Sequence, residues 1–155
     1  MAYRKTFKGP QLPGVFLTAD SIHLPTTIVD VLCDYARASP QREICGILAI
    51  RGGAVVGHYP VRNTARESQH RFEMDPRQQI GAFRSMRKRG EELFAIYHSH
   101  PNGSAQPSEH DVSRHEYPEA YCFIISLQRQ SDPVLGAYRI ANGIFTRVGL
   151  EVEPS

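Results

Sequence analysis

Residues 98–111 read His-Ser-His-Pro-Asn-Gly-Ser-Ala-Gln-Pro-Ser-Glu-His-Asp and follow an apolar run that starts at Leu93. Residues 93–100 are predicted to form a central strand, on which alternate side chains point to the same face. His98 and His100 therefore converge on one point, while Ser99 faces away. Two neutral imidazoles suit Zn²⁺, which binds nitrogen at about 2.0–2.1 Å.

A carboxylate completes this candidate site. Pro101 ends the strand, and Asp111 lies one turn into a short helix predicted for residues 108–116. Two imidazoles and one carboxylate leave a fourth position for water, the open geometry of a catalytic zinc. Each fragment alone has another interpretation: histidines on a strand are often polar surface, and Ser108-x-x-Asp111 is also a capping-box pattern. The complete set in order favours the metal.

The flanking sequence predicts a single-domain α/β fold, a mixed β-sheet flanked by two or three helices. The apolar periodicity and the turn residues predict strands at 15–17, 43–50, 54–62, 72–74, 120–127, 134–140 and 144–150, and helices at 22–39 and 76–89. Asp75 and Pro76 start the second helix and Gly90 ends it. Its buried face is predicted to carry Ile80, Phe83 and Met86. Its basic residues are either solvated or a docking patch for an acidic partner: Arg84, Arg87, Lys88 and Arg89.

The composition excludes several other classes of protein. A chain of 155 residues suits one domain, and a net charge of +2 is too weak to indicate a nucleic-acid partner. The mean hydropathy is −0.38, no apolar run approaches the ~20 residues that span a bilayer, and the basic start lacks the apolar core of a signal peptide. We therefore expect a cytoplasmic protein. Cys33, Cys45 and Cys122 form no CxxC pair, so we expect buried reduced thiols.

The pattern His98-x-His100-Pro101, six residues, then Ser108-x-x-Asp111 resembles the motif of the JAMM (MPN-plus) zinc metalloprotease family in full. That family also has a glutamate ahead of an apolar strand, and Glu43 resembles it. Asn63 and the run Phe72-Glu73-Met74-Asp75-Pro76 resemble the compact prokaryotic branch. The resemblance covers residues 15–150, taken as the catalytic domain between tails at 1–14 and 151–155, and implies a JAMM/MPN, cytidine-deaminase-like sandwich.

The resemblance also implies a role for each residue of the motif. One Zn²⁺ per chain would be bound by His98, His100 and Asp111. Glu43 would act as general base on the zinc-bound water, and Ser108 would supply a hydroxyl to the oxyanion. Two further predictions concern the neighbours of these residues. Cys45 is a core or site-wall thiol rather than a nucleophile, and His110 and His115 are surface groups or neighbours that tune the site.

By resemblance, the protein is a zinc-dependent peptidase or isopeptidase. Its substrate would be the amide bond after the Gly-Gly tail of a small β-grasp, ubiquitin-like sulfur-carrier protein. Residues 63–71 either line a groove for that tail or form a plain surface loop. The alternatives are a non-catalytic MPN-type interaction module, a RadC-like DNA-associated protein, and a phage-tail or cell-wall peptidase. We expect no nucleic-acid and no membrane partner, and a homodimer is left open.

Overall fold

The computed structural model describes residues 16–18 and 21–154 of the chain. Within them, eight strands form one sheet in the order β1-β2-β8-β7-β6-β5-β3-β4, with three helices outside it. The elements are β1 (Phe16–Thr18), β2 (Ser21–Pro25), α1 (Thr26–Arg37), β3 (Cys45–Arg51), β4 (Ala54–Val61), α2 (Pro76–Arg89), β5 (Glu92–His100), α3 (Glu109–Arg114), β6 (Tyr121–Ser126), β7 (Val134–Ala141) and β8 (Ile144–Glu153). The predicted mixed α/β sheet is confirmed: β2 with β8 and β5 with β6 are parallel, and the other neighbours are antiparallel.

The central strands are covered on both faces, which explains their nearly continuous apolar sequences. Leu48 and Ile50 of β3 belong to the core cluster that contains residues of α1. Ile47 and Ala49, the alternate residues, pack in the cluster that contains residues of α2. Ile96 of β5 lies in that second cluster, so alternation along β5 brings the side chains of residues 98 and 100 to the α2 face.

The turn and cap predictions are confirmed where the sequence carries a specific conformational signal. Asn142 and Gly143 have φ of 55° and 73°, as a two-residue hairpin turn requires. The carboxylate of Asp75 accepts hydrogen bonds from the backbone N–H of Arg77 (2.9 Å) and of Gln78. Gly90 ends α2 with φ of 65°. No helix among the described residues is long and apolar enough to cross a membrane.

Three local predictions are wrong. Residues 22–25 do not begin the first helix: Ile22 and Leu24 are alternate, fully buried positions of β2, a spacing typical of a strand. Ile80 is 54% exposed, and Ala82 lies with Met86 on the buried face of α2 instead. Residues 72–74 form no regular strand, only a bridge between Met74 and Asn63.

Strand β8 runs three residues beyond its predicted end at Leu150. Its last five residues pair in parallel with β2, from Gly149 opposite Ser21 to Glu153 opposite Pro25. From Leu150 to Glu153 apolar and polar side chains alternate, as in a strand, so the sequence does carry a signal for this extension.

Gly46 tests the close packing of β3 against its neighbours. A Cβ on Gly46 would lie 2.7 Å from the carbonyl oxygen of Tyr59 and would also overlap the ring end of Tyr97. We expect Gly46→Ala to lower the free energy of unfolding by about 1–3 kcal/mol, as overpacking of a rigid core does, measured by urea denaturation.

Gly81 in α2 provides the matched control, since no atom lies within 4 Å of the position of its Cβ. Gly81→Ala should raise the free energy of unfolding by roughly 0.5–1 kcal/mol, because alanine loses less backbone entropy in a helix. Equal stabilities for the two variants would contradict the packing described for β3.

Candidate metal centre

The structure brings three predicted ligand atoms to one point at the end of β5. The Nε2 atoms of His98 and His100 are 3.1 Å apart. Each of them lies 3.1 Å from Oδ2 of Asp111, which reaches in from the first turn of α3. His98 is 1% exposed and Asp111 is 6% exposed, so the three atoms meet away from bulk solvent.

The side chain of Glu43, two residues before β3, lies next to these atoms. Its Oε1 lies 3.7 Å from Nε2 of His100, and the ligand atoms of Glu43, His98 and His100 all fall within 4.8 Å of one another. These three side chains are close enough to bind a metal ion. Glu43 is 2% exposed, and its Oε2 has no hydrogen-bond partner in the described part of the chain.

The backbone register between β3 and β5 places Glu43 opposite the histidines. Cys45 pairs with His98, and one residue further the backbone N–H of Ser99 donates to the carbonyl oxygen of Ile44 at 3.0 Å. The N–H of Ile44 in turn donates to Oγ of Ser99 at 2.9 Å. Ser99 faces away from the metal site, as predicted, and ties the segment of Glu43 to β5.

Asn63 holds the backbone of Glu43 through a hydrogen bond, a contact that the sequence did not predict. Its Nδ2 donates to the carbonyl oxygens of Glu43 (2.9 Å) and Arg71 (2.8 Å). Its Oδ1 accepts from the backbone N–H of Ala65 (2.9 Å) and Glu73 (3.0 Å). Asn63 is buried and anchors a segment whose other residues are mostly exposed.

The hydrogen bond of Nδ1 determines which ring nitrogen of His100 can bind a cation. Its Nδ1 lies 2.7 Å from the carbonyl oxygen of Ser104, which can only accept, so Nδ1 carries the hydrogen and neutral His100 presents the lone pair of Nε2. That lone pair faces a carboxylate oxygen of Asp111 at 3.1 Å. Acceptor atoms this close repel one another unless an additional proton or a metal cation lies between them.

The spacing of the acceptor atoms fits a metal. Ligands at about 2.0–2.1 Å from a tetrahedral ion are about 3.3–3.4 Å apart, close to the 3.1 Å separations among His98, His100 and Asp111. The donor set of two imidazoles and a carboxylate is one that zinc accepts in catalytic sites. The residues present therefore fit the metal that the resemblance implies.

Ser108 and Asp111 also cap α3, so the capping-box interpretation is correct as well. Oγ of Ser108 accepts from the backbone N–H of Asp111 at 3.0 Å, and Oδ2 of Asp111 accepts from the N–H of Ser108 at 2.9 Å. The cap uses only the oxygen of Ser108. Its hydroxyl hydrogen takes no part in the cap.

Burial and neighbouring charges shift the pKa of the four groups in different directions. Burial raises the pKa of Glu43 to about 8, and the neighbouring Asp111 adds to the rise. Burial lowers the pKa of His98. Burial acts against the charged forms of Asp111 and His100 too, but their mutual hydrogen bond lowers the pKa of Asp111 and raises that of His100. The pKa of Glu43 and the pKa of Asp111 are therefore shifted in opposite directions.

The cysteines lie in the core, and His115 lies beside the candidate site. Sγ of Cys45 donates to the carbonyl oxygen of Val61 at 3.3 Å, and burial raises the pKa of this thiol to about 12. Cys45 is therefore a core thiol, and Cys33 and Cys122 are also buried and reduced. His115, bonded through Nε2 to the carbonyl oxygen of Tyr117 at 2.7 Å, lines a cavity beside the site.

This cavity has a volume of about 280 Å³ and reaches His98 and Asp111. Its other walls come from the segment around Phe72, from α2, from α3 and from the chain that follows α3. The lining residues are Phe72, Glu73, Met74, Gln79, Ile96, His98, His110, Asp111, Arg114, His115, Glu116, Tyr117 and Cys122. The candidate metal centre is thus accessible from one side through a partly apolar cavity.

The fold is that of JAB/MPN domains. The sequence profile of the prokaryotic homologues of the JAB domain (Prok-JAB) matches residues 25–140. The chain therefore belongs to this family, and the resemblance to its compact prokaryotic branch is confirmed.

Individual relatives agree with this assignment. Desampylase from Haloferax volcanii is 30% identical over 115 residues, which cover 70% of this chain and 82% of that protein. The solution structure of protein DSY2949 from Desulfitobacterium hafniense matches with a TM-score of 0.75 and 30% identity, over 86% of this chain and 93% of that one. AF2198 from Archaeoglobus fulgidus, a JAB1/MPN domain protein, shares the fold with a TM-score of 0.56 and 17% identity, over 88% and 100% of the two chains.

Metal affinity should depend on pH through Glu43. A bound dication stabilises the carboxylate and expels its proton, so with a pKa of about 8 Glu43 weakens metal binding increasingly as pH falls below that value. The apparent Zn²⁺ affinity of the wild type should rise between pH 6 and 8 more steeply than that of Glu43→Gln, measured by competition with a chelating dye. Parallel slopes for the two proteins would contradict the pKa assigned to Glu43.

Proposed function

We propose that the protein is a zinc-dependent peptidase or isopeptidase that hydrolyses the amide bond after the Gly-Gly tail of a small ubiquitin-like sulfur-carrier protein. The observation that carries the proposal is the meeting of His98, His100 and Asp111 within 3.1 Å of one another, with the buried carboxylate of Glu43 beside them. Three ligands and an adjacent general base are the parts that a hydrolytic zinc site needs.

His98, His100 and Asp111 would hold the ion, which supplies a Lewis acid and lowers the pKa of water to roughly 7. Glu43 takes a proton from the attacking water and passes it to the leaving amine. The bound dication would keep the Glu43 carboxylate ionised and thus able to accept that proton. Its Oε2 has no partner among the described residues and is free to accept that proton.

Ser108 would stabilise the carbonyl oxygen of the substrate. The hydroxyl stands at the start of α3, three residues from the ligand Asp111, and the cap leaves its hydrogen free. A hydrogen-bond donor aimed at the developing oxyanion lowers the barrier by its preorganised charge. The capping contact fixes the side chain and supports this role rather than competing with it.

Two observations support a ubiquitin-like carrier as the substrate class. A family member at 30% identity is a desampylase, a hydrolase of ubiquitin-like conjugates. A Gly-Gly tail suits a buried metal centre, since residues without side chains let the scissile backbone approach the ligands closely. A sulfur carrier, rather than another ubiquitin-like protein, is the finer part of the proposal, and it follows from the resemblance to compact prokaryotic members.

The first test separates metal binding from catalysis. Glu43→Gln keeps the shape of the side chain and removes the base, so it should retain one zinc per chain and lose about 10²–10⁴-fold in kcat. His98→Ala should lose metal and activity together. Zinc content by elemental analysis and single-turnover kinetics measure both. Loss of the metal from Glu43→Gln, with retention by His98→Ala, would reverse the roles assigned here.

The second test concerns the substrate. Small β-grasp carriers extended by a few residues beyond Gly-Gly should be cut after the second glycine, as seen from intact product masses. Cleavage should stop with a chelator, return with zinc, and fail when either glycine is replaced by valine. A protein that leaves every extended carrier intact but cleaves a cell-wall peptide would contradict the proposal and favour a different peptidase.

A further inference from the structure

The two histidines of the metal centre are held in different ways. A metal-binding histidine almost always donates its other ring N–H to a carbonyl, a carboxylate or water, which fixes the ring plane. His100 does so, through Nδ1 to the carbonyl oxygen of Ser104 at 2.7 Å. Nδ1 of His98 is buried and has no hydrogen-bond partner among the described residues. Some other contact must therefore orient the ring of His98.

Phe72 provides that contact. Its ring lies on the imidazole of His98 with the centroids 4.5 Å apart and the planes 24° from parallel. A flat aromatic face in this position restricts rotation of the imidazole about χ2, because turning the ring would drive its edge into the phenyl group. At His98, stacking on Phe72 therefore takes the role that the hydrogen bond to Ser104 has at His100.

Phe72 is itself fixed by its backbone neighbours. Asn63 accepts from the N–H of Glu73 at 3.0 Å and donates to the carbonyl oxygen of Arg71 at 2.8 Å, so both flanking residues are anchored. The same amide group donates to the carbonyl oxygen of Glu43 at 2.9 Å. Through Asn63, the backbone on both sides of Phe72 is therefore fixed relative to the backbone of Glu43.

We propose that Phe72 is a positioning residue that holds His98 in the orientation required to bind the metal. This inference rests on the metal-binding part of the proposed function and adds a residue outside the ligand set. A branched aliphatic side chain at position 72 would fill part of the space without offering a flat face, so the imidazole would sample other orientations. The cost is a loss of metal affinity of about 10–100-fold, the range found when the orienting partner of a ligand is removed.

Phe83 offers a matched control. It is half-buried in the same apolar cluster as Phe72, but its recorded ring contact is with Tyr117, at 5.8 Å between centroids, and not with a metal ligand. Phe83→Leu should therefore loosen the cluster as much as Phe72→Leu does while leaving His98 in place.

The experiment measures the zinc dissociation constant, by competition with a chromophoric chelator, for the wild type, Phe72→Leu, Phe72→Tyr and Phe83→Leu. We expect Phe72→Leu to bind zinc 10–100-fold more weakly, Phe72→Tyr to restore binding to within about threefold, and Phe83→Leu to match the wild type. Thermal unfolding of the four apo proteins shows whether each is folded.

The Phe83→Leu control and the Phe72→Tyr variant separate positioning from a general structural role. Equal zinc affinity of Phe72→Leu and the wild type, equal weakening by Phe72→Leu and Phe83→Leu, or a failure of Phe72→Tyr to restore binding would each overturn the inference while leaving the proposed function intact. A wild type that binds no zinc would overturn both.

Discussion

The antiparallel register of β3 against β5 is the constraint on which the candidate site depends. Cys45 opposite His98, followed by the reciprocal contacts of Ser99 and Ile44, sets Glu43 beside His100. A slip of one residue would turn every side chain of the strand to the other face of the sheet. It would bury Ser99 where the metal centre lies and direct His98 toward α1. The continuous apolar sequences of β3 and β5 prevent that slip, since alternate residues pack against different helices.

Burial makes the charged forms of these side chains costly and shifts their pKa values. Ionised groups removed from water are stable only when they are paired or bind a metal, and Glu43, His98 and Asp111 are nearly inaccessible to solvent. Asp111 stays ionised because three N–H groups or ring nitrogens surround its Oδ2, whereas Glu43 has a pKa of about 8. Two carboxylates in one pocket thus differ in proton affinity, as expected if they have different roles.

The features that could be read from the sequence are those encoded locally. The helix cap at Asp75, the hairpin turn at Asn142 and the alternation of His98 with His100 depend only on residues near in the chain, and the structure contains all three. The meeting of Glu43 with these histidines was expected from the family resemblance alone, because no local pattern links residues 55 positions apart.

The contacts of Ser99 with Ile44, of Asn63 with Glu43 and of Phe72 with His98 were not foreseen, since they depend on strand register and on the path of residues 63–73. Ile22 was predicted to lie in a helix but lies in β2. Ile80 was predicted to face the core but is exposed.

X-ray absorption spectroscopy of the zinc-loaded protein tests most directly that His98, His100 and Asp111 form the metal centre. The account predicts a first shell of nitrogen and oxygen atoms only, at about 2.0–2.1 Å, with the outer-shell scattering of two imidazoles. His98→Ala should reduce that imidazole scattering to one ring or abolish zinc binding. A sulfur atom at about 2.3 Å, which would place a cysteine on the metal, or a spectrum without imidazole scattering would contradict the account.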